Sequence, residues 1–398
     1  MPLSSNLSFI LLFLQGKHIE RTVHVRPPRE AETSEIWRLN KCVYGLKDAS
    51  RYWYLKLREE LIKLEGTPSH YDQGMFYWYD NSKKLAGIVV CFVDDVLWGG
   101  NSDFHKIITQ LKDKFQIGVE NSQSFNYIGI HLQQLDDFSI TMDQNDYINS
   151  ICQIPLQNVD THDLHRSLNG LELKQLRGAL GQLNWISGMT QPEVSFHVCE
   201  ISTHIKSATI SDVVAINKVI KFTKSTPSYI TFPKMHKSSL QIQLFSDASF
   251  NNLPDGGSQG GHIAFLKDEH HKMTPISWSS TRIKRIARST LAAETLALTA
   301  GCDSAFFLSQ LLAEIRGKQT DIHALTDNKS LCDTVNTTKQ ILDRRLRVEV
   351  SALREMCNKQ EIKLSWIRKE KQLSDVLTKK GASYHSLIEV LQSGSSPI

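Results

Sequence analysis

Apolar positions along this chain recur at one spacing and then at another, and the changes of period outline its elements. After an apolar run at Phe9–Leu14 (FILLFL), Trp53, Leu57, Leu61 and Leu64 return at helical spacing and predict an amphipathic helix from Ser50 onward. Gly74–Asp80 (GMFYWYD) and Lys84–Cys91 (KLAGIVVC) read as strands. The second runs into FVDDVLWGG, Phe92–Gly100, which places two adjacent aspartates at the tip of a hairpin. Leu173–Ser202 reads as two helices broken at Thr190-Gln191-Pro192, since proline bars a continuous helix. Gly178, Gly181 and Trp185 share a face there, which predicts close helix packing, and Asp212–Thr223 is a further helical run. Beyond Pro233–Ser239 the period returns to two, with Ile242, Leu244 and Ser246 alternating against Gln243, Phe245 and Asp247. Segments 240–247, 260–267 and 274–280 predict a three-stranded meander. The stripe Leu291, Leu298, Cys302, Ala305, Leu308 and Leu312 then predicts a helix over Ser289–Glu314, capped by Ser289 or Thr290. The short strands DIHALTDN and IKLSWIR follow.

Composition narrows the class without choosing a function. At 398 residues, 40% apolar and 22% charged, the chain has material for two or three folded domains. A net charge of +4 is compatible with nucleic acid but is no evidence for it. The seven cysteines are scattered and never form C-x-x-C, which argues against a disulfide framework and for a reducing, intracellular setting, cytoplasmic or nuclear. The FILLFL run lacks a basic flank and is too short to span a bilayer, and no other stretch reads as transmembrane, so neither secretion nor a membrane partner is expected.

Four acids change the picture. Asp247 sits in the first strand of the meander, Glu294 early in the long helix, Asp327 at the end of a short strand, and Asp375 at the start of a helix in SDVLTKK. Any one of them alone reads as a surface acid. In the order strand, helix, strand, helix they point to a two-metal site, because paired Mg²⁺ ions prefer carboxylate and water oxygens and promote phosphodiester cleavage.

These residues carry a resemblance. SDAS at Ser246–Ser249, ISWSS at Ile276–Ser280, RSTLAAET at Arg288–Thr295, LTDNKS at Leu325–Ser330 and LSDVLTK at Leu373–Lys379 resemble the ribonuclease H domain of Ty1/copia-type retrotransposon polyproteins. The resemblance implies that Asp247, Glu294, Asp327 and Asp375 are metal ligands, with Mg²⁺ as the cofactor and Mn²⁺ as a substitute. It implies an RNA–DNA hybrid as partner, and Trp278, Ser279, Ser280, Arg282, Arg288, Asn328 and Arg345 as candidate contacts to it. One departure stands out. The family has a Lys-His pair before its last long helix, this chain has Arg344-Arg345, and no histidine lies between Asp327 and Asp375. A guanidinium cannot carry a proton in place of an imidazole.

Further upstream, KCVYGLKDASRYWY, from Lys41, resembles the template- and nucleotide-gripping motif of a copia-type reverse transcriptase, which implies contacts from Lys41, Tyr44, Gly45, Lys47 and Arg51. FVDD resembles the polymerase's aspartate hairpin and implies metal-binding, catalytic roles for Asp94 and Asp95. The family takes a third carboxylate from a D-V-K-x-A-F-L-x-G strand. Here FLQG survives at Phe13–Gly16, an ungapped count puts that position on Ser8, and no aspartate precedes Asp48. The expectation is an N-terminally truncated α/β and α+β chain, with a partial palm over 1–135, a helical thumb or connection over 136–235, and an RNase H-like domain over 236–390. Hybrid cleavage is expected to be retained and DNA synthesis lost, the alternative being a non-catalytic nucleic-acid-binding remnant.

Overall fold

A computed structural model describes residues 3–9, 11–156, 164–337, 341 and 343–396, so Ile10 of the FILLFL run lies outside it. The chain divides into two units, Met1–Gln134 with Glu314–Arg316, and Leu135–Ala313 with Gly317–Ile398. The segments 136–235 and 236–390, read from sequence as two domains, both belong to the second.

In the first unit the elements run β1 (Leu3–Phe9), α1 (Leu12–Gln15), β2 (His24–Val25), β3 (Trp37–Arg38) and α2 (Ala49–Lys63). Then come β4 (Thr67–Pro68), β5 (Met75–Tyr79), β6 (Leu85–Phe92), β7 (Asp95–Gly100) and α3 (Ser102–Lys112). β8 (Ile117–Asn121), β9 (Ser124–Tyr127) and β10 (Ile130–Gln134) complete it. Six strands form an antiparallel sheet in the order β4-β5-β6-β7-β1-β8. Its core takes Trp53, Leu57 and Leu61 from the predicted amphipathic face of α2, with Phe104, Ile108 and Leu111 from α3. Gly87 and Gly100 make room for Phe104, whose ring lies 2.2–2.3 Å from where either would carry a Cβ.

The second unit opens with β11 (Ile140–Asp143), α4 (Asn145–Ser150), α5 (Gly170–Met189), α6 (Ser195–Thr203), α7 (Ile210–Ser225) and β12 (Ile230–Phe232). A 3₁₀ turn, Pro192–Val194, separates α5 from α6 at the predicted proline break. α5 starts on a capping box in which Asn169 and Glu172 satisfy one another's backbone N–H groups at 3.0 and 2.8 Å. The expected close packing at Gly178 and Gly181 is not there. Nothing lies within 4 Å of a Cβ built at either, and α5 instead buries Leu176, Leu180, Leu183 and Ile186.

The remaining elements are β13 (Gln241–Ser249), β14 (Gln259–Lys267), β15 (Met273–Arg282), α8 (Thr290–Arg316), β16 (Asp321–Thr326), α9 (Lys329–Asn336), α10 (Arg344–Asn358), β17 (Ile362–Trp366) and α11 (His385–Ser393). The predicted meander β13–β14–β15 is antiparallel, and β16 and β17 add in parallel to give the order β15-β14-β13-β16-β17. This is a mixed sheet of the α/β class that the resemblance implied. β13 is central and buried on both faces, rather than on one as its alternation suggested. Ile242 and Leu244 pack with Leu298 and Cys302 of α8 and with α9 and α10, whereas Phe245 packs with Phe265, Leu377 and Leu387 on the other side.

Ser289 caps α8, accepting from the Ala292 N–H at 3.1 Å, and Gly317 ends it with φ +66°. α8, at 27 residues, also holds an 18-residue stretch with a mean hydropathy of 1.4, long and apolar enough to cross a membrane by length and composition. That corrects the reading that no other stretch reaches such length. Its Ala292, Leu298, Cys302 and Ala305 are buried in the core beside the sheet.

Candidate functional site

The sheet of the second unit brings separate acids to one place. Asp247 lies seven residues into β13, directly opposite Gly261 of β14. Gly261 matters because a Cβ there would stand 2.7 Å from Leu377 Cβ and 2.8 Å from Thr378 Cγ2. Its absence lets the segment carrying Asp375 cross β14 beside Asp247. That segment is a 3₁₀ turn, Asp375–Leu377, and not the start of a helix. Remote side chains fix it. Gln372 Nε2 donates to the Ser246 carbonyl at 2.9 Å, Ser280 Oγ to the Leu377 carbonyl at 2.6 Å, and Asn252 Nδ2 to the Thr378 carbonyl at 3.1 Å. Asp327 directly follows β16, and its carbonyl accepts from Trp366 Nε1 at 2.9 Å. One carboxylate oxygen from each of Asp247, Asp327 and Asp375 lies within 4.8 Å of the others.

Glu294, in the second turn of α8, adjoins this trio and is only 5% exposed, with Oε2 lacking any hydrogen-bond partner among the described residues. Burial, reinforced by the Asp247 and Asp327 charges, pushes its carboxyl up to about 9. Burial likewise lifts Asp247 to about 6, against the pull of the Lys379 ammonium and Thr378 hydroxyl. Lys379 Nζ donates to Asp247 Oδ1 at 3.1 Å and to Asp375 Oδ1 at 2.8 Å. Thr378 Oγ1 donates to the other Asp247 oxygen. Burial alone would lower the lysine, but the Asp247 and Asp375 charges outweigh it and hold the ammonium above its usual range. Sequence reasoning gave Lys379 no such role. The available signal was its position four residues after Asp375.

An all-oxygen donor set, two carboxyls pushed toward neutrality and an ammonium drawn between two of the acids describe a site short of positive charge. These residues fit a hard divalent cation such as Mg²⁺ or Mn²⁺. The closest trio is Asp247, Asp327 and Asp375, with Glu294 beside it.

The candidate substrate contacts divide. Arg288 and Arg345 meet in a cavity of about 360 Å³ with Arg285, Asp343 and Glu349. Arg282 instead pairs with Asp255, and Asn328 caps α9, accepting from the Leu331 N–H at 3.0 Å. The ISWSS strand is committed internally and corrects the expectation of backbone contacts there, since Trp278 Nε1 donates to the Ser187 carbonyl at 2.7 Å and Ser280 holds the Asp375 turn.

In the first unit, Phe92 pairs with Asp95 across a two-residue turn in which Val93 has φ +52°, a strained value for a β-branched residue. Asp94 is exposed at the tip and Asp95 half-buried. Trp53 Nε1 donates to the Val93 carbonyl at 2.7 Å, which docks α2 against the turn. Lys41 bridges to His18, Tyr44 is 69% exposed with its ring 4.6 Å from Phe13, Gly45 adopts φ +93°, and Lys47 and Arg51 are exposed. β1 sets Ser8 opposite Asp95. Among the described residues no third His, Cys, Asp or Glu joins Asp94 and Asp95 in a metal-sized group.

Residues 7–163 match the family model described as reverse transcriptase (RNA-dependent DNA polymerase). The chain is 25% identical over 391 residues to the retrovirus-related Pol polyprotein from transposon RE1 of Arabidopsis thaliana, covering 92% of this chain and 26% of that protein. It is 24% identical to the Ty1-ER2 Gag-Pol polyprotein of Saccharomyces cerevisiae, covering 91% of this chain and 22% of that one. Over most of its length the chain is similar to Ty1/copia-type retrotransposon Pol polyproteins. It spans about a quarter of the length of these Pol relatives. Among solved structures, LC11-RNase H1 in complex with an RNA/DNA hybrid is matched over 35% of this chain and 94% of its own at 15% identity and a TM-score of 0.28. The prototype foamy virus protease-reverse transcriptase covers 100% and 68% at 10% identity and a TM-score of 0.26.

Proposed function

We propose that the second unit hydrolyses the RNA strand of RNA–DNA hybrids with Mg²⁺, which Mn²⁺ can replace. The observation that carries this reading is the convergence of the Asp247, Asp327 and Asp375 carboxylates within 4.8 Å, beside a buried, unpartnered Glu294 oxygen. Asp247, Asp327, Asp375 and Glu294 hold the ions, which when bound activate water and stabilise the leaving oxygen. Thr378 orients Asp247. Lys379 yields its place between Asp247 and Asp375 as the ions enter. Arg288 and Arg345 hold phosphates of the hybrid, read through its backbone rather than its bases.

The first unit, on this reading, retains Asp94 and Asp95 but not DNA synthesis, because the strand beside Asp95 carries Ser8 where a shared carboxylate is needed. The test incubates the full chain with a labelled RNA–DNA hybrid and Mg²⁺, beside Asp327→Asn, and separately with primed RNA and dNTPs. RNA-strand cleavage lost in the variant, with no incorporation, supports the proposal. A folded wild type that binds hybrid without cutting it makes the chain a binding remnant. Incorporation of dNTPs overturns the polymerase half.

A further inference from the structure

A second cluster of metal-ligating side chains lies apart from the four acids. His236 is in the segment between β12 and β13, and Glu269 and His270 are in the turn between β14 and β15. One ligand atom from each lies within 4.8 Å of the other two. His236 Nδ1 is 2.6 Å and His270 Nε2 3.8 Å from Glu269 Oε1. The two rings stand 5.2 Å apart, nearly perpendicular.

The backbone beneath is built to hold this arrangement. Asp268, 4% exposed, accepts from the His236 N–H at 2.8 Å and from the His270 and Lys272 N–H groups at 2.9 Å. One buried carboxylate therefore fixes the main chain of both histidines, although they come from segments over 30 residues apart in sequence. Around a tetrahedral ion with bonds of about 2.1 Å, ligand atoms sit about 3.4 Å apart. The two contacts to Glu269 bracket that spacing, so small side-chain rotations on a fixed backbone suffice. Two imidazoles and a carboxylate suit zinc-class ions, whereas Mg²⁺ prefers oxygen alone.

We infer that His236, Glu269 and His270 form a surface site for a zinc-class divalent cation, Zn²⁺ or Co²⁺, open to water at its fourth position. It pins the segment entering β13 to the β14–β15 turn. The ordinary alternative is a His236–Glu269 hydrogen bond with Ser238 attached, Nδ1 to Oγ 2.8 Å and Oγ to Glu269 3.0 Å.

The site is tested on the full chain in excess Mg²⁺, added to compete at the oxygen cluster, by titrating Co²⁺ and reading its visible absorption. One equivalent should bind, be displaced by Zn²⁺ and raise the melting temperature. His236→Ala and His270→Ala should each weaken Co²⁺ binding at least about tenfold, as loss of a direct ligand should exceed outer-shell effects. The circular dichroism spectrum should not change. Glu269→Gln, which preserves shape, should weaken binding too. Absence of Co²⁺ binding to the wild type, or binding unaltered in the folded histidine variants, overturns the inference.

Discussion

Glu193 gives the sharpest energetic prediction. It lies in the 3₁₀ turn between α5 and α6, 4% exposed, and among the described residues neither carboxylate oxygen has a partner from another residue. Burial pushes its carboxyl from 4.5 up to about 7, partly offset by its own backbone N–H. A carboxyl raised in the folded state binds more protons folded than unfolded, so stability falls as pH rises between the two values. The full penalty above pH 7 is about 3 kcal/mol, since each tenfold change in proton affinity is worth about 1.4 kcal/mol. Roughly 2.5 kcal/mol of it develops between pH 5 and pH 8. In a unit of this size that is roughly 5–10 °C in melting temperature.

Glu193→Gln removes the titration. An amide carries its own cost in an apolar site, but that cost is the same at every pH. The quantity to measure is therefore the difference in melting temperature between pH 5 and pH 8, compared between wild type and variant. Asp247 and Glu294, also raised, titrate in the same direction in both proteins and cancel in the comparison. The wild type should lose stability over this range by several degrees more than Glu193→Gln. Parallel behaviour of the two proteins would mean that the carboxylate finds a partner or water in solution, and the unpaired-burial argument would fail.

Two further predictions concern the acid cluster. Lys379→Met removes the ammonium from between Asp247 and Asp375, so the metal-free chain should melt lower near pH 8 while its Mg²⁺-induced thermal shift grows by mass action, and an unchanged shift would mean that the lysine does not compete with the ions. Gly261→Ala forces Leu377 and Thr378 away from β14, so the chain should stay folded by circular dichroism but lose most of its Mg²⁺ response, and a wild-type response would show that the turn does not need its close approach.

What the sequence made legible was periodic and local. α2, α8 and the three meander strands were readable because each carries its own period, and α8 its own cap, and the aspartate hairpin because the two strands flank their turn. What stayed hidden depends on partners far away in the chain. The second buried face of β13 comes from Ile230, Leu377 and Leu387, none of them adjacent to it in sequence. SDVLTKK resembles a helix start, yet bonds from Ser280 and Asn252, about a hundred residues upstream, hold it as a turn. The same bonds explain why Ser280 is not free for substrate. The small residues at Gly178 and Gly181 suggested a helix contact, but the neighbouring Leu176–Ile186 stripe took the buried side of α5.

Those long-range bonds also decide what the acid cluster has left to offer. Both Asp247 oxygens are engaged, one by Thr378 and one by Lys379, and Asp375 shares the same ammonium. Four carboxylates against one lysine leave three negative charges uncompensated if all ionise, and the fold answers by lifting Asp247 and Glu294 toward their neutral forms. Lys379 is thus an internal cation standing where an external one would bridge Asp247 and Asp375. Metal affinity would therefore be set by competition with that contact and not by the carboxylates alone. If the lysine gives way, the cluster becomes a hydrolytic site. If it stays, the same geometry is a satisfied salt bridge with no metal-dependent chemistry to offer. The wild-type chain's own Mg²⁺-induced thermal shift, set beside that of Lys379→Met, therefore separates the two readings independently of cleavage: a shift in both means the lysine gives way, and a shift in the variant alone means it stays.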